Sequence, residues 1–464
     1  MKPSPIFAAL LACLALLAAA APVRAASGPE TSGQATSGPA TPAQAAEGQS
    51  EKPGNQPPAK AHPYRFGVNA DNWKGEMTNP GFAEALRAMG VEFVVWHLSP
   101  EEEAGAGMMK IVDFCRANNL SYLFNTELVN YVPGVPYFNN PDGTYRWDLK
   151  PATLEKLKDD PLFIGQVYDE AMLMQSLNGT KVNGRVIPPY FLDTSAMTPE
   201  EAFTAVTAKI AQLTGYFAKY GKIALFEMVY PDYAHSVARA GAQTAPKLMK
   251  ENPVDLMTAV YAGAARQYGQ KRLWACVDLW FLDKFPEKGA GGPGHHTPQE
   301  LFDALCYTYT EGYDWVYIEH IKGLIDVANG RLTAYGQKVV EFQKARESLP
   351  RGDWRDIKPE IVVKRFPDGY WGQKYSTFLP DHPYGAAKTT PALQAADARW
   401  LELLSTLSNG RLPKDANNWN AVTSPYFKRT PYFLKAGLPP MLVMDHTFSR
   451  FTDYPGAKAV DLTQ

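Results

Sequence analysis

From Tyr64 onward the chain alternates short apolar runs with helical segments, and that alternation limits the folds open to it. Residues 65–69, 91–98, 121–126, 163–168, 223–229, 273–279, 315–318 and 361–363 read as strands, rich in Val, Ile, Phe and Trp. Between them lie helical stretches, several opened by proline at Pro80, Pro151, Pro199, Pro253, Pro298 and Pro391. Proline fits the first turn of a helix, where its missing N–H would be unpaired anyway. Strands without alternating polarity, each followed by a helix, are buried on both faces and so belong to a parallel sheet. Eight such units predict an α/β fold of the (β/α)₈ kind, a TIM barrel over residues 63–410 with a C-terminal extension over 411–464. A second reading ends the barrel earlier and makes 357–464 a small α/β appendage. An open doubly wound sheet is disfavoured because no Gly-rich phosphate turn follows the first strand.

Side chains alternate across a strand, so parity sorts them into axis-facing and helix-facing sets. Over 163–168 the apolar Phe163, Gly165 and Val167 are expected outward, leaving Gln166, Tyr168 and Glu170 inward. Over 315–318 Val316 and Ile318 go outward, so Trp315, Tyr317 and Glu319 go inward. Over 273–279 Trp274, Cys276, Asp278 and Trp280 go inward, and the first strand aims Asn69 and Asp71 at its exit. Asp169 and His320 fall outward at the rim. Buried carboxyls are costly unless paired or used. At the carboxyl ends of barrel strands they stand where active sites of this architecture sit.

Glu170 and Glu319 are therefore the candidate catalytic pair. Counted along the sequence they end strands 4 and 7. In this the chain resembles the large barrel superclan of retaining glycoside hydrolases, whose acid/base Glu ends strand 4 and whose nucleophilic Glu ends strand 7. The resemblance covers the barrel and rests on placement. It implies that Glu170 is the acid/base and Glu319 the nucleophile, in a double displacement without a cofactor. The superclan has Asn before the strand 4 Glu, whereas this chain has Asp169. An amide can donate to a sugar hydroxyl and an ionised carboxylate cannot, so Asp169 implies an altered substrate contact.

Sugar recognition needs aromatic faces for C–H surfaces and polar groups for hydroxyls. Trp73, Trp96, Trp147, Tyr230, Tyr233, Trp280 and Trp371 crowd the expected strand exits. Asn69, Asp71, His97, Glu127, Tyr168, Asp169, Glu227, Asp278 and Tyr317 are the polar candidates for substrate contact. Glu127 follows the third strand, and Glu227 has ambiguous parity in the fifth. His97 and His320 could join Asp71 or Asp278 in a metal centre, but no metal-ligand spacing supports one. No G-x-S-x-G elbow supports a serine nucleophile. Two readings stand beside the hydrolase: a non-catalytic carbohydrate-binding barrel, and a metal-dependent barrel hydrolase.

The N-terminus carries Met1-Lys2, an apolar run from Ile6 to Ala21, and Val23-Arg24-Ala25 as a cleavage site. This reads as a signal peptide over 1–25, hence a secreted or periplasmic protein. Residues 26–62 are poor in large apolar side chains and read as a disordered linker. A lipoprotein reading of Leu10–Cys13 is weaker, since Leu11 fits its box poorly. The formal charge of −2 points to neither nucleic acid nor an anionic membrane. No segment after the leader is long and apolar enough to span a bilayer. Cys115, Cys276 and Cys306 form no disulfide framework and read as buried hydrophobes. The expected partner is a poly- or oligosaccharide, and the sequence leaves the oligomeric state open.

Overall fold

A computed structural model describes residues 63–70, 76–127, 140–179, 181–182, 185–249, 252–279, 297–326, 328–367, 383–385, 390–412, 414 and 435–463. The expected leader and linker, with Asp71, Trp73, Trp280 and Trp371, lie outside the described residues.

Eight parallel strands close into a barrel: β1 (Arg65–Ala70), β2 (Phe93–His97), β3 (Ser121–Asn125), β4 (Phe163–Asp169), β5 (Ile223–Met228), β6 (Gln243–Leu248), β7 (Trp274–Val277) and β8 (Trp315–Ile318). Each pairs with the next, and β8 closes on β1 from Arg65↔Trp315 to Val68↔Ile318. With helices between the strands, this is the TIM barrel that the alternation predicts. Helices Pro199–Ala218 and Pro298–Thr310 each begin with a capping box, Thr198 with Glu201 and Thr297 with Glu300, followed at once by proline. The hydroxyl and the carboxylate each satisfy a backbone N–H that a helix start leaves open.

Two strand assignments change. Gln243–Leu248 is a barrel strand that its sequence conceals, and Ile361–Lys364 is not a barrel strand at all. The run Gln-Thr-Ala-Pro-Lys-Leu carries a proline, a residue poorly suited to a central strand, and a lysine at a position facing the axis. Counting β6 moves Trp315–Ile318 from seventh to eighth. Ile361–Lys364 (β9) instead runs between Met441–Met444 (β10) and Lys458–Asp461 (β11) in a separate three-stranded parallel sheet. That sheet docks on the barrel helix Val254–Gln267. The Asp255 carboxylate accepts from the backbone N–H groups of Ala436, Gly437 and Leu438 at 2.7–2.9 Å. A side chain at Gly263 would strike the Val443 carbonyl, at 2.0 Å, so glycine permits the close approach.

The barrel interior is layered. Phe93, Trp274 and Trp315 fill the amino-terminal end, with Trp274 and Trp315 centroids 4.6 Å apart and Phe93 and Trp315 5.1 Å apart. A Cβ at Gly67 would lie 2.6 Å from the Phe93 ring, so Gly67 makes room for this floor. Val95, Leu123, Val167, Leu225, Ala245, Cys276 and Tyr317 complete the apolar interior. Burying these rings and branched side chains contributes on the order of 1.5–3 kcal/mol each. The polar groups sit above this plug, at the carboxyl end.

Candidate active site

Lys247 stands at the centre of that end, fully buried on β6. Its Nζ lies 2.8 Å from Glu319 Oε2, 3.0 Å from Asp169 Oδ1, 3.1 Å from Glu227 Oε1, 3.3 Å from Glu170 Oε1 and 3.8 Å from Asp278 Oδ2. Five carboxyls from four strand exits thus converge on one ammonium. Burial acts to strip its proton, but attraction from Asp169, Glu319, Glu227 and Glu170 outweighs that and holds its pKa well above the lysine range. Lys247 is a fixed cation, and the protonated amine is not a nucleophile.

Side-chain directions explain how the acids meet. In β4 the expected parity is reversed. The register with β3 slips between Tyr122 and Leu123, so that Phe163 pairs with Tyr122 but Gly165 with Leu123. The extra residue is a bulge, and a bulge exchanges the two faces of the strand beyond it. Val167 therefore faces the axis, as does Asp169, which the regular alternation places outward. Tyr168 faces the helices instead of the axis, stacked on Phe226 with centroids 4.9 Å apart, and its hydroxyl donates to Asp148 at 2.6 Å. Gln166 also points away from the axis. Its amide accepts from the Leu149 N–H at 2.9 Å and donates to the Trp147 carbonyl at 3.0 Å.

Glu170 follows Asp169 with φ +48°, and His320 follows Glu319 with φ +66°. A left-handed residue other than glycine costs on the order of 1 kcal/mol. The turn re-aims a side chain that strand geometry would send outward. At each of these two exits, one acid reaches the axis by alternation and its successor is swung back by the turn. Glu170 joins Lys247, and His320 Nε2 comes within 3.7 Å of Glu319 Oε1 and 4.0 Å of Asp278 Oδ1.

The other candidates extend the same site. His97, at the end of β2, has Nε2 3.3 Å from Glu127 Oε2. Asn125 ties this pair to the centre: its amide donates to Asp169 at 3.0 Å, and its oxygen accepts from the Glu127 N–H at 2.8 Å. Glu227 resolves to the inward face, where Tyr317 donates its hydroxyl to it. Tyr317 is fully buried beneath the acids. Asn69 is also fully buried on the inward face of β1, with neither amide atom hydrogen-bonded among the described residues. Tyr230 is half-buried and helps line a pocket with Glu170, Met172, Leu173, Met228 and Val229. Trp96 packs outside the barrel against Phe114, and Trp147 is buried.

Crowding sets the protonation of the cluster. Burial, then repulsion from Asp169, drives the Glu127 and Glu227 carboxyls well above their ordinary range. Burial pushes Asp169 up to about 7 against the pull of Lys247. Burial and the neighbouring Glu227 and Glu319 likewise raise the Cys276 thiol, whose Sγ lies 3.7 Å from Glu319 Oε2. Cys276 is thus a weak donor inside the site.

Three sets could present atoms to a metal ion: His97, Glu127 and Asp169; Glu227, Cys276 and Glu319; and Asp278, Glu319 and His320. Each contains at least one carboxyl already bound to Lys247. The ammonium supplies the positive charge that an ion would bring, and would repel one nearby. These residues are not assigned as metal ligands.

Glu319 ends the eighth strand, and Asp278 follows the seventh. The placement on strands 4 and 7 that links this chain to the glycoside hydrolase superclan therefore does not hold for Glu319. No family model matches the chain, and no curated protein matches it. Among solved structures, the deoxyribose phosphate aldolase of Aeropyrum pernix aligns over 61% of this chain and 90% of its own, with 10% identity and a TM-score of 0.30. D-psicose 3-epimerase of Clostridium cellulolyticum H10, solved with D-tagatose, aligns over 61% and 99%, with 12% identity and a TM-score of 0.33. The YdjI aldolase of Escherichia coli K12 aligns over 62% and 90%, with 12% identity and a TM-score of 0.29.

Proposed function

We propose that this barrel is a retaining glycoside hydrolase acting on a poly- or oligosaccharide, with Glu319 as nucleophile and Glu170 as acid/base. One observation carries the reading. The two carboxyls come from β4 and β8, on opposite sides of the barrel, yet both contact Lys247 Nζ, at 3.3 and 2.8 Å. Their nearest oxygens can be no farther apart than the sum of those distances. That limit accommodates the ~5–5.5 Å separation of retaining carboxyl pairs. The proposed roles rest on this proximity and not on strand position.

In the first step the Glu170 O–H protonates the glycosidic oxygen as the bond to the anomeric carbon breaks. A Glu319 oxygen bonds to that carbon, giving a glycosyl ester. In the second step Glu170, now a carboxylate, takes a proton from water. The water oxygen attacks the anomeric carbon, the ester bond breaks, and Glu319 is freed as a carboxylate. Two inversions leave the configuration retained. The ionised Glu319 carboxylate favours the positive charge that develops at the anomeric carbon. In this reading Asn69 and the His97–Glu127 pair meet sugar hydroxyls.

The test is release of reducing ends from a panel of poly- and oligosaccharides, with the first-formed anomer followed by NMR. Retained configuration, abolished in Glu319→Gln with sugar binding preserved, is the expected result. An inverted first product would overturn the mechanism. Binding with no cleavage of any glycan would make the protein a carbohydrate-binding barrel.

A further inference from the structure

The nucleophile and the acid of such a pair need opposite protonation states, and the two Glu side chains are chemically identical. Their surroundings must set them apart. Lys247 Nζ lies closer to Glu319, at 2.8 Å, than to Glu170, at 3.3 Å. Glu319 Oε2 also has the Cys276 Sγ at 3.7 Å, and its Oε1 has His320 Nε2 at 3.7 Å. Glu170 lines a pocket with Met172, Leu173, Met228 and Val229 and with the hydroxyl-bearing Ser176, Tyr230 and Tyr233. Glu319 thus has the cation nearer, with the thiol and the imidazole as further neighbours.

We infer that Lys247 is a positioning residue that keeps Glu319 ionised and aimed at the axis while leaving the proton to Glu170. The inference rests on the reading of those two residues as the reacting pair. Lys247 touches no substrate atom in this scheme. It lies beneath the carboxyls, with Tyr317 and Cys276 in the interior layer around it. The groups that face it are Asp169 and Glu170 from the β4 exit, Glu227 from β5, Asp278 from the β7 exit and Glu319 from the β8 exit. His320 borders Glu319, and the His97–Glu127 pair borders Asp169. Of these, only Lys247 is a permanent cation. Its ammonium also draws the five acids to one point, so its loss would both discharge and disperse the pair.

The experiment compares wild type with Lys247→Met, which keeps the length of the side chain and removes the charge, and with Lys247→Ala. In Lys247→Met, kcat should fall by about 10²-fold or more with a much smaller change in KM. The acidic limb of kcat/KM, which reports ionisation in the free enzyme, should move up by at least about one pH unit. Ethylammonium should restore part of the activity of Lys247→Ala in proportion to its concentration. A folded Lys247→Met variant with an unmoved acidic limb would overturn the inference, whether kcat is lost or kept. If Lys247→Met does not fold, absence of ethylammonium rescue in folded Lys247→Ala would do the same.

A second readout needs no turnover. The ¹³C carboxyl titration of Glu319, in protein labelled at Glu, should move up in Lys247→Met relative to wild type. A wild type that cleaves no glycan would defeat the hydrolase reading while leaving this titration to decide the role of Lys247. An unchanged Glu319 titration would defeat the positioning role alone.

Discussion

Lys247 on β6 and Glu319 at the exit of β8 are joined at 2.8 Å in the centre of the barrel mouth, and both side chains are nearly or fully buried. A buried ion pair is retained where it holds charge in place, since its net contribution to stability is small or negative. Glu319→Ala removes the nearest acid, but Asp169, Glu227 and Glu170 remain within 3.3 Å of Lys247 Nζ. The variant should lose activity on every substrate, and should destabilise the fold by less than the about 3–5 kcal/mol expected when a buried charge is left bare. Chemical denaturation of Glu319→Ala and Glu319→Gln checks this. A loss of that full size would show that Glu319 alone compensates the lysine.

The two Glu residues should fail differently. A protonated acid matters most when the leaving group is poor, whereas the nucleophile is needed for all substrates. With an activated aryl glycoside, Glu170→Gln should keep rapid formation of the glycosyl ester and stall at its hydrolysis, so a burst of phenol precedes slow turnover. With an unactivated oligosaccharide it should lose about 10²–10⁴-fold, the usual scale of general acid catalysis. Stopped-flow kinetics on both substrate types provides the measurement. The same loss on both would remove Glu170 from the acid/base role.

Much of the barrel was legible because its strands are apolar and its helices carry proline and capping boxes at their starts. The site was legible only in part, and for physical reasons. Trp274, Cys276, Asp278, Trp315 and Tyr317 obey simple alternation, so their inward direction could be read directly. The β4 bulge defeats alternation, and nothing but Gly165 marks it in the sequence. Glu170 reached the axis for a reason that alternation does not contain, the left-handed turn at φ +48°. Lys247 was hidden most deeply. A lone lysine beside a proline looks like a loop until five acids are known to surround it, and those acids come from strand exits far apart in the chain.

Gly165, the one glycine of β4, should resist replacement. A Cβ there would lie 2.0 Å from the Ile223 carbonyl oxygen, and that atom belongs to a barrel strand that cannot give way alone. Gly165→Ala should destabilise the protein by about 1–3 kcal/mol or more, the scale of overpacking in a rigid core. By displacing the bulge it should also turn Asp169 and Glu170 away from Lys247. Thermal unfolding and turnover should fall together, whereas Gly143→Ala, with open space around its Cβ, should leave turnover intact despite some strain at φ +80°. Wild-type turnover in Gly165→Ala would refute the link between bulge and site.

Stability should decline as pH rises through neutrality. Asp169 has a folded pKa of about 7 against an ordinary 3.8, and Glu127 and Glu227 are displaced in the same direction. A carboxyl raised by folding binds its proton more tightly in the folded state. Its contribution is fully present below the unfolded pKa and is lost as pH climbs through the folded one. Between pH ~4 and ~7 each such group that titrates adds a slope of up to about 1.4 kcal/mol per pH unit. Carboxylates lowered by folding, such as Asp445 at about 2, act with the opposite sign but below that window. The unfolding midpoint of wild type should thus fall from pH ~4 toward pH ~8, and Asp169→Asn should flatten the fall. A midpoint that climbs steadily over this range, or one whose slope ignores Asp169, would contradict the assignment of protons to this cluster.

His320 offers a test of strain held for function. Its φ of +66° suits glycine better than any residue with a Cβ, so the turn after Glu319 is bought at some cost in stability. His320→Gly relieves that cost, about 1 kcal/mol, and removes a ring that is only partly buried. It also removes the group 3.7 Å from Glu319 Oε1 and 4.0 Å from Asp278 Oδ1. The variant should unfold at the same temperature as wild type or slightly higher, and should turn over more slowly. Calorimetry and steady-state kinetics on the same preparation separate the two effects. A variant that is both less stable and fully active would show that the histidine is there for packing, and that the left-handed turn alone positions Glu319.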